Sequence, residues 1–121
     1  MESLIETRAR QRAMNPLTIQ KLSENGSNLQ EPHILWSAVH VFSESDVDPL
    51  MVALEAAGYE VQKPAEAKVY QETRYWLVTP SLALVPTVEV VGRMTDELVT
   101  IVSEFDAEYD GWYTEVVPRI L

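Results

Sequence analysis

The sequence predicts an α+β fold: a split βαβ sandwich with two helices on one face of a four-stranded antiparallel sheet, preceded by an extra N-terminal helix. Two observations carry this. Apolar residues alternate with period two in several short stretches and recur at steps of three and four in others, in the order strand, helix, strand, strand, helix, strand. The chain has 121 residues, 46% of them hydrophobic, which supports one core and is too short for two. There is no internal repeat or low-complexity segment. A single domain is therefore expected over residues 16–121, with residues 1–15 as a weak or mobile N-terminal segment.

Taken in order, the first residues set Leu4 and Ile5 beside Arg8, Arg10 and Arg12, only a thin apolar stripe for a helix. Asn15-Pro16 reads as a helix start, because Asn caps free amide groups and Pro is tolerated at the first helical position. The helix should run over 16–25 with Leu17, Ile19 and Leu22 buried, and Gly26 should end it. Residues 33–42 are rich in β-branched and aromatic side chains on both alternating faces, which predicts a central strand covered at least in part on both sides. Ser43-Glu44-Ser45-Asp46 supplies caps and first-turn carboxylates for a helix carrying Val47, Leu50, Met51 and Leu54 and ending at Gly58.

A second strand begins at Tyr59-Glu60-Val61 and ends at Pro64; a polar link over 65–72 leads to a third over 73–82, where Pro80 marks a bulge or an edge. From Pro86, Val88, Val91, Met94, Leu98, Ile101, Val102 and Phe105 follow the spacing of one face of a long helix, which Gly92 weakens. Residues 106–111 read as a polar turn and 112–117 as the last strand, stopped by Pro118. This is the pattern of a ferredoxin-like sandwich.

Composition excludes several functions. Nine Lys and Arg against nineteen Asp and Glu leave a formal charge of −10, so every phosphate contact to a nucleic acid works against self-repulsion. Direct nucleic-acid binding is disfavoured. Without cysteine there is no disulfide, thiolate metal site or cysteine nucleophile. No apolar stretch approaches the roughly 20 residues of a membrane span, and the N-terminus lacks the apolar centre of a signal peptide. The expected compartment is the cytoplasm.

Signals for catalysis are equally thin. His33 and His40 are seven apart on one expected strand and so lie on opposite faces, unable to share a metal. Asp106-x-Glu108-x-Asp110-Gly111 opens like a calcium loop, but its twelfth position is Val117 where a bidentate Glu is required. There is no phosphate-cradling glycine loop and no nucleophile elbow. The expectation is a protein that is not an enzyme and needs no cofactor or metal. Trp36, Trp76, Trp112, Tyr75, Tyr109 and Tyr113 crowd around the expected strands, and a sheet with helices on one side leaves its other side to be covered by the N-terminal helix, a second copy or a partner. A net negative chain attracts a basic partner.

The run Phe105-Asp106-Ala107-Glu108-Tyr109-Asp110-Gly111-Trp112 closely resembles the most recognisable motif of the regulator of ribonuclease E activity B (RraB) family, with Tyr109-Asp110-Gly111-Trp112 as its strongest part. Asn25-Gly26-Ser27, His40-Val41-Phe42-Ser43 and Ala57-Gly58-Tyr59-Glu60-Val61 extend the resemblance in matching order and spacing over roughly residues 16–117. The resemblance implies a ferredoxin-like fold with an added N-terminal helix, and a cytoplasmic bacterial protein that binds ribonuclease E, through its basic scaffold region, and lowers its activity. It also implies an acidic C-terminal tail in many members, whereas this sequence closes on Pro118-Arg119-Ile120-Leu121. The candidate partner-binding residues are Glu104, Asp106, Glu108, Tyr109, Asp110 and Trp112. Within the motif, Gly111 suits a turn with positive φ, Asp110 a bond to its own backbone, and Trp112 the start of the last strand. The rival expectation is a non-enzymatic ferredoxin-like interaction module, homodimeric through the open sheet face.

Overall fold

The computed structural model describes residues 2–119, and among them the α+β architecture is the expected one. Helix α1 spans Leu4–Glu24, strand β1 His33–Val41, helix α2 Val47–Ala56, β2 Glu60–Gln62, β3 Lys68–Tyr70, β4 Thr73–Leu84, helix α3 Val88–Val102 and β5 Ala107–Tyr113. The antiparallel sheet runs β2-β4-β1-β5, and β3 pairs with the start of β4. Without the β3 hairpin, this is the strand order of a ferredoxin-like sandwich.

The core lies between the sheet and the helices. Alternate residues His33, Leu35, Ser37, Val39 and Val41 of β1 point inward and are buried, meeting Leu50 and Leu54 of α2 and Val91, Leu98, Val99 and Val102 of α3. Each fully buried leucine contributes about 1.5–3 kcal/mol through removal of apolar surface from water. The opposite face of β1 is half-buried by its neighbours in the sheet rather than by another layer, and Ile34 there is half-exposed. The expectation of a central strand covered at least in part on both sides is met, fully on the helix side and by half on the other. Val88, assigned above to the buried face of α3, is exposed at the helix's first turn.

The N-terminal helix starts earlier than expected. Ser3 and Glu6 form a reciprocal capping box, the Ser3 hydroxyl accepting from the Glu6 amide and the Glu6 carboxylate from the Ser3 amide. One helix then runs from Leu4 through Pro16, which forgoes a single backbone hydrogen bond, so residue 16 is not an element boundary. Asn15 is accordingly not a cap; it is buried inside the helix. α1 packs on α3, leaving the open face of the sheet uncovered.

Two further differences concern the sheet. Residues 65–72, read as a link, contain β3 and a two-residue hairpin whose central residues Gln71 and Glu72 both have positive φ, 49° and 66°. Pro80 lies inside β4, flanked by β2 and β1; having no N–H, it leaves a gap in the β1 pairing opposite Ser37 and Ala38.

Two polar contacts tie the periphery to the core. The Ser27 hydroxyl meets His33 Nε2 and accepts from the Val117 amide at 2.9 Å, while His33 Nδ1 faces the Glu31 carbonyl at 2.8 Å. This fixes the segment after β5 against the turn that follows α1. The Tyr59 hydroxyl donates to Glu97 at 2.7 Å, joining the α2–β2 turn to α3; burial first, then that carboxylate, push the phenol above its ordinary pKa.

Gly92 sits within α3 with ordinary helical backbone, and a methyl group there would meet only Arg12 Cδ, at 3.9 Å. Gly92→Ala is expected to raise stability by about 0.5–1 kcal/mol in urea unfolding, through the lower backbone entropy of alanine in the unfolded chain.

Candidate partner-binding surface

Of the acidic motif residues, Glu108 and Asp110 belong to a strand rather than a turn. β5 begins at Ala107 and pairs His40 with Glu108 and Val39 with Tyr109; the next pairs are Ser37 with Trp112 and Trp36 with Tyr113. Asp110 and Gly111 therefore stand together opposite Ala38, forming a β-bulge, and Gly111 takes φ 96° to make it. The expected positive φ is there, in a bulge rather than a turn. Glu108 and Asp110 occupy the wet face of an edge strand, Asp106 lies in the turn just before it, and the residues after 113 leave the sheet.

The bulge resets the alternation, so Tyr109 and Trp112, three residues apart, both turn toward the helices. Tyr109 is buried, its hydroxyl beside Ser37 and Thr95 without a well-formed hydrogen bond, and burial raises its pKa against the lowering effect of those two hydroxyls. Its backbone carbonyl accepts from Gln11 Nε2 of α1 at 3.3 Å. The Trp112 indole N–H donates to Asn15 Oδ1 at 2.9 Å, Asn15 Nδ2 donates to the Thr95 hydroxyl at 2.9 Å, and that hydroxyl donates to the Val91 carbonyl. One buried amide thus joins α1, α3 and β5.

The six candidate residues consequently occupy three places. Tyr109 and Trp112 face the helices. Glu108 and Asp110 are exposed on the opposite, open face of the sheet. Glu104 and Asp106 are exposed in the turn between α3 and β5, where the Asp106 amide donates to Asp46 Oδ2 at 2.8 Å and the Asp106 carbonyl accepts from the Phe42 amide.

The open face carries more than those two carboxylates. Trp36 and Tyr113 stack with ring centroids 5.8 Å apart, and His40 lies 4.6 Å from the Tyr75 ring. Across the small Ser81, Trp36 shares a shallow cavity of about 220 Å³ with Glu60 of β2. A second cavity, of about 300 Å³, is lined by His40, Tyr70, Tyr75 and Glu108 among others. Glu60 and Glu108 make no ion pair within 4 Å among the described residues, and the basic side chain nearest Asp110 among those pairs is His40, 3.9 Å away. That distance is too long for the hydrogen bond that orients a histidine base. Glu60 and Tyr70 were missed by sequence reasoning. Glu60 was legible from the parity of its strand, whereas Tyr70 required knowledge of the hairpin.

No cluster of three or more metal-ligating side chains occurs among the described residues, and no helix there is long and apolar enough to cross a membrane. The open face is aromatic and acidic.

Comparison with known proteins gives one consistent result. The family model described as Regulator of ribonuclease activity B matches residues 12–114. The chain is 32% identical over 99 residues to the regulator of ribonuclease activity B of Pseudoalteromonas translucida (strain TAC 125), covering 79% of this chain and 86% of that protein. It is 32% identical over 107 residues to that of Escherichia coli (strain K12), covering 86% and 75%, and 31% identical over 116 residues to that of Pantoea ananatis (strain LMG 20103), covering 93% and 79%.

The Asn15 bridge makes a direct prediction. Asn15→Ala removes both bonds, leaving the Trp112 indole N–H and one lone pair of Thr95 without their partners, and is expected to cost about 2–3 kcal/mol in chemical unfolding. The exposed Glu24→Ala, on the same helix, should change stability by less than about 0.5 kcal/mol.

Proposed function

The chain belongs to the regulator of ribonuclease activity B family, and from that premise we propose that it binds the endoribonuclease ribonuclease E and lowers its activity, slowing RNA decay. Membership makes it a regulatory protein rather than an enzyme, with a ribonuclease as its protein partner. The observation that carries the reading is the family match over residues 12–114, which takes in the whole α/β sandwich through β5.

The finer steps follow from charge. At −10, the chain approaches RNA only against repulsion, so control of RNA cleavage is exerted on the nuclease by stoichiometric binding in the cytoplasm. Exposed carboxylates at Glu104, Asp106, Glu108 and Asp110 complement a basic segment of such a partner. Tyr109 and Trp112, turned inward, serve binding by holding β5 in register rather than by contact. The rival reading, a homodimer closed through the open sheet face, has Glu60, Glu108 and Asp110 of each copy brought into one interface of like charge, which opposes it.

Calorimetric titration of the purified protein with ribonuclease E from the same host, at two salt concentrations, tests the reading alongside cleavage of a labelled RNA. The expected result is binding at about micromolar Kd or tighter, weaker at the higher salt, with cleavage slowed in proportion to the bound fraction. Absence of binding, or binding that leaves cleavage unchanged, contradicts it.

A further inference from the structure

We infer that the open face of the sheet is a docking surface for an extended, arginine-rich segment of a partner protein, with two places that each receive one guanidinium group. This rests on the reading that the chain works by binding a protein, and it adds the face and the chemistry recognised.

Three features of the face converge. The first is composition: each of the two shallow cavities combines one or two aromatic rings with one carboxylate that makes no ion pair within 4 Å among the described residues, Trp36 with Glu60 in one and Tyr70 and Tyr75 with Glu108 in the other. A planar guanidinium stacks on an aromatic ring while its N–H groups engage a carboxylate in a forked pair, whereas an ammonium is a compact, strongly hydrated point charge. The pairing of ring and carboxylate therefore selects arginine over lysine. The second feature is charge: Glu60, Glu108 and Asp110 make the face repel phosphate, which argues against the stacking of RNA bases on the same rings.

The third is spacing. Trp36 and His40, which anchor the two cavities, are four residues apart on β1, about 13 Å along the strand. An extended peptide laid along β1 has the same rise, so arginines four residues apart reach both cavities at once, and Asp110, opposite the residue midway between them, faces the intervening segment. Lys68, on β3 opposite Tyr75, marks the end of the acidic area. α1 packs against α3, on the helix side, and its Arg10, whose charge reaches Glu108, is held in a pair with Glu2.

The test uses the purified full chain and a Gly-Ser peptide carrying two arginines four residues apart, titrated by calorimetry. The expected result is saturable binding that weakens about fivefold or more when both arginines become lysine, or when their spacing is cut to three. Glu60→Gln and Glu108→Gln should each weaken it by about fivefold or more, while Glu55→Gln, an equal charge change on α2, should leave it unaltered. Equal affinity for the lysine and arginine peptides overturns the inference, as does equal loss from all three glutamine variants. So does tighter binding of a single-stranded RNA oligonucleotide at these residues, or dimerisation of the chain that excludes the peptide.

Ribonuclease E titrations separate this from the functional reading. If the nuclease binds the wild type and both Glu60→Gln and Glu108→Gln equally well, the face is wrong and the reading stands. If the arginine peptide binds as described and the nuclease does not bind, the reading fails and the face stands.

Discussion

The β-bulge at Asp110 and Gly111 is the constraint from which the arrangement of the molecule follows. A regular strand sends side chains to opposite faces in strict alternation, so Tyr109 and Trp112, three apart, would point in opposite directions. The extra residue opposite Ala38 inverts the alternation and brings both rings to the helix side, at the expense of a left-handed backbone that only Gly111 adopts without a Cβ penalty. Trp112 then reaches Asn15, Asn15 reaches Thr95, and α1 is held against α3 and the edge of the sheet. The same inversion turns Tyr113 outward to stack on Trp36. One tetrapeptide thereby locks the N-terminal helix and furnishes part of the open surface.

This division explains how an acidic protein with a modest core can regulate another molecule without chemistry of its own. The inward face of the sheet carries the stability, through Leu35, Val39, Val41 and their helical partners. The outward face carries the charge of Glu60, Glu108 and Asp110 and the rings of Trp36, Tyr75 and Tyr113. The edge strand is protected against pairing with other chains, since the bulge breaks its regularity, Gln11 occupies the Tyr109 carbonyl, and Glu108 and Asp110 place charge along it.

The elements legible in the sequence were those with an unbroken period. β1, α2 and α3 follow their spacing, and the order of elements was sufficient for the fold. Where the reading failed, a local signal was outweighed or absent. Pro16 looked like a helix start because its missing N–H costs nothing there, yet the Ser3–Glu6 capping box had already begun the helix and tertiary contacts at Asn15 carried it through. β3 has no buried face to reveal it, and its turn uses Gln71 and Glu72 where Asn or Gly is the usual mark. β5 was displaced because alternating carboxylates resemble a turn, and because a bulge has no period to detect. Among the candidate residues, Glu104, Asp106, Glu108 and Asp110 were identifiable as exposed acids, but their separation into two places, and the joining of Glu60 to Trp36, depend on register between strands that composition does not encode.

The most direct test of this account is a nuclear Overhauser spectrum of the side chains around β5. The bulge predicts contacts from the Trp112 indole N–H to the Asn15 amide group and from the Tyr113 ring to the Trp36 ring, which puts two consecutive residues on opposite faces in the sense that the shifted register requires. Contacts of Trp112 with Trp36 and of Tyr113 with Asn15 would mean a regular strand without the bulge, and would contradict both the account of the motif and the surface built upon it.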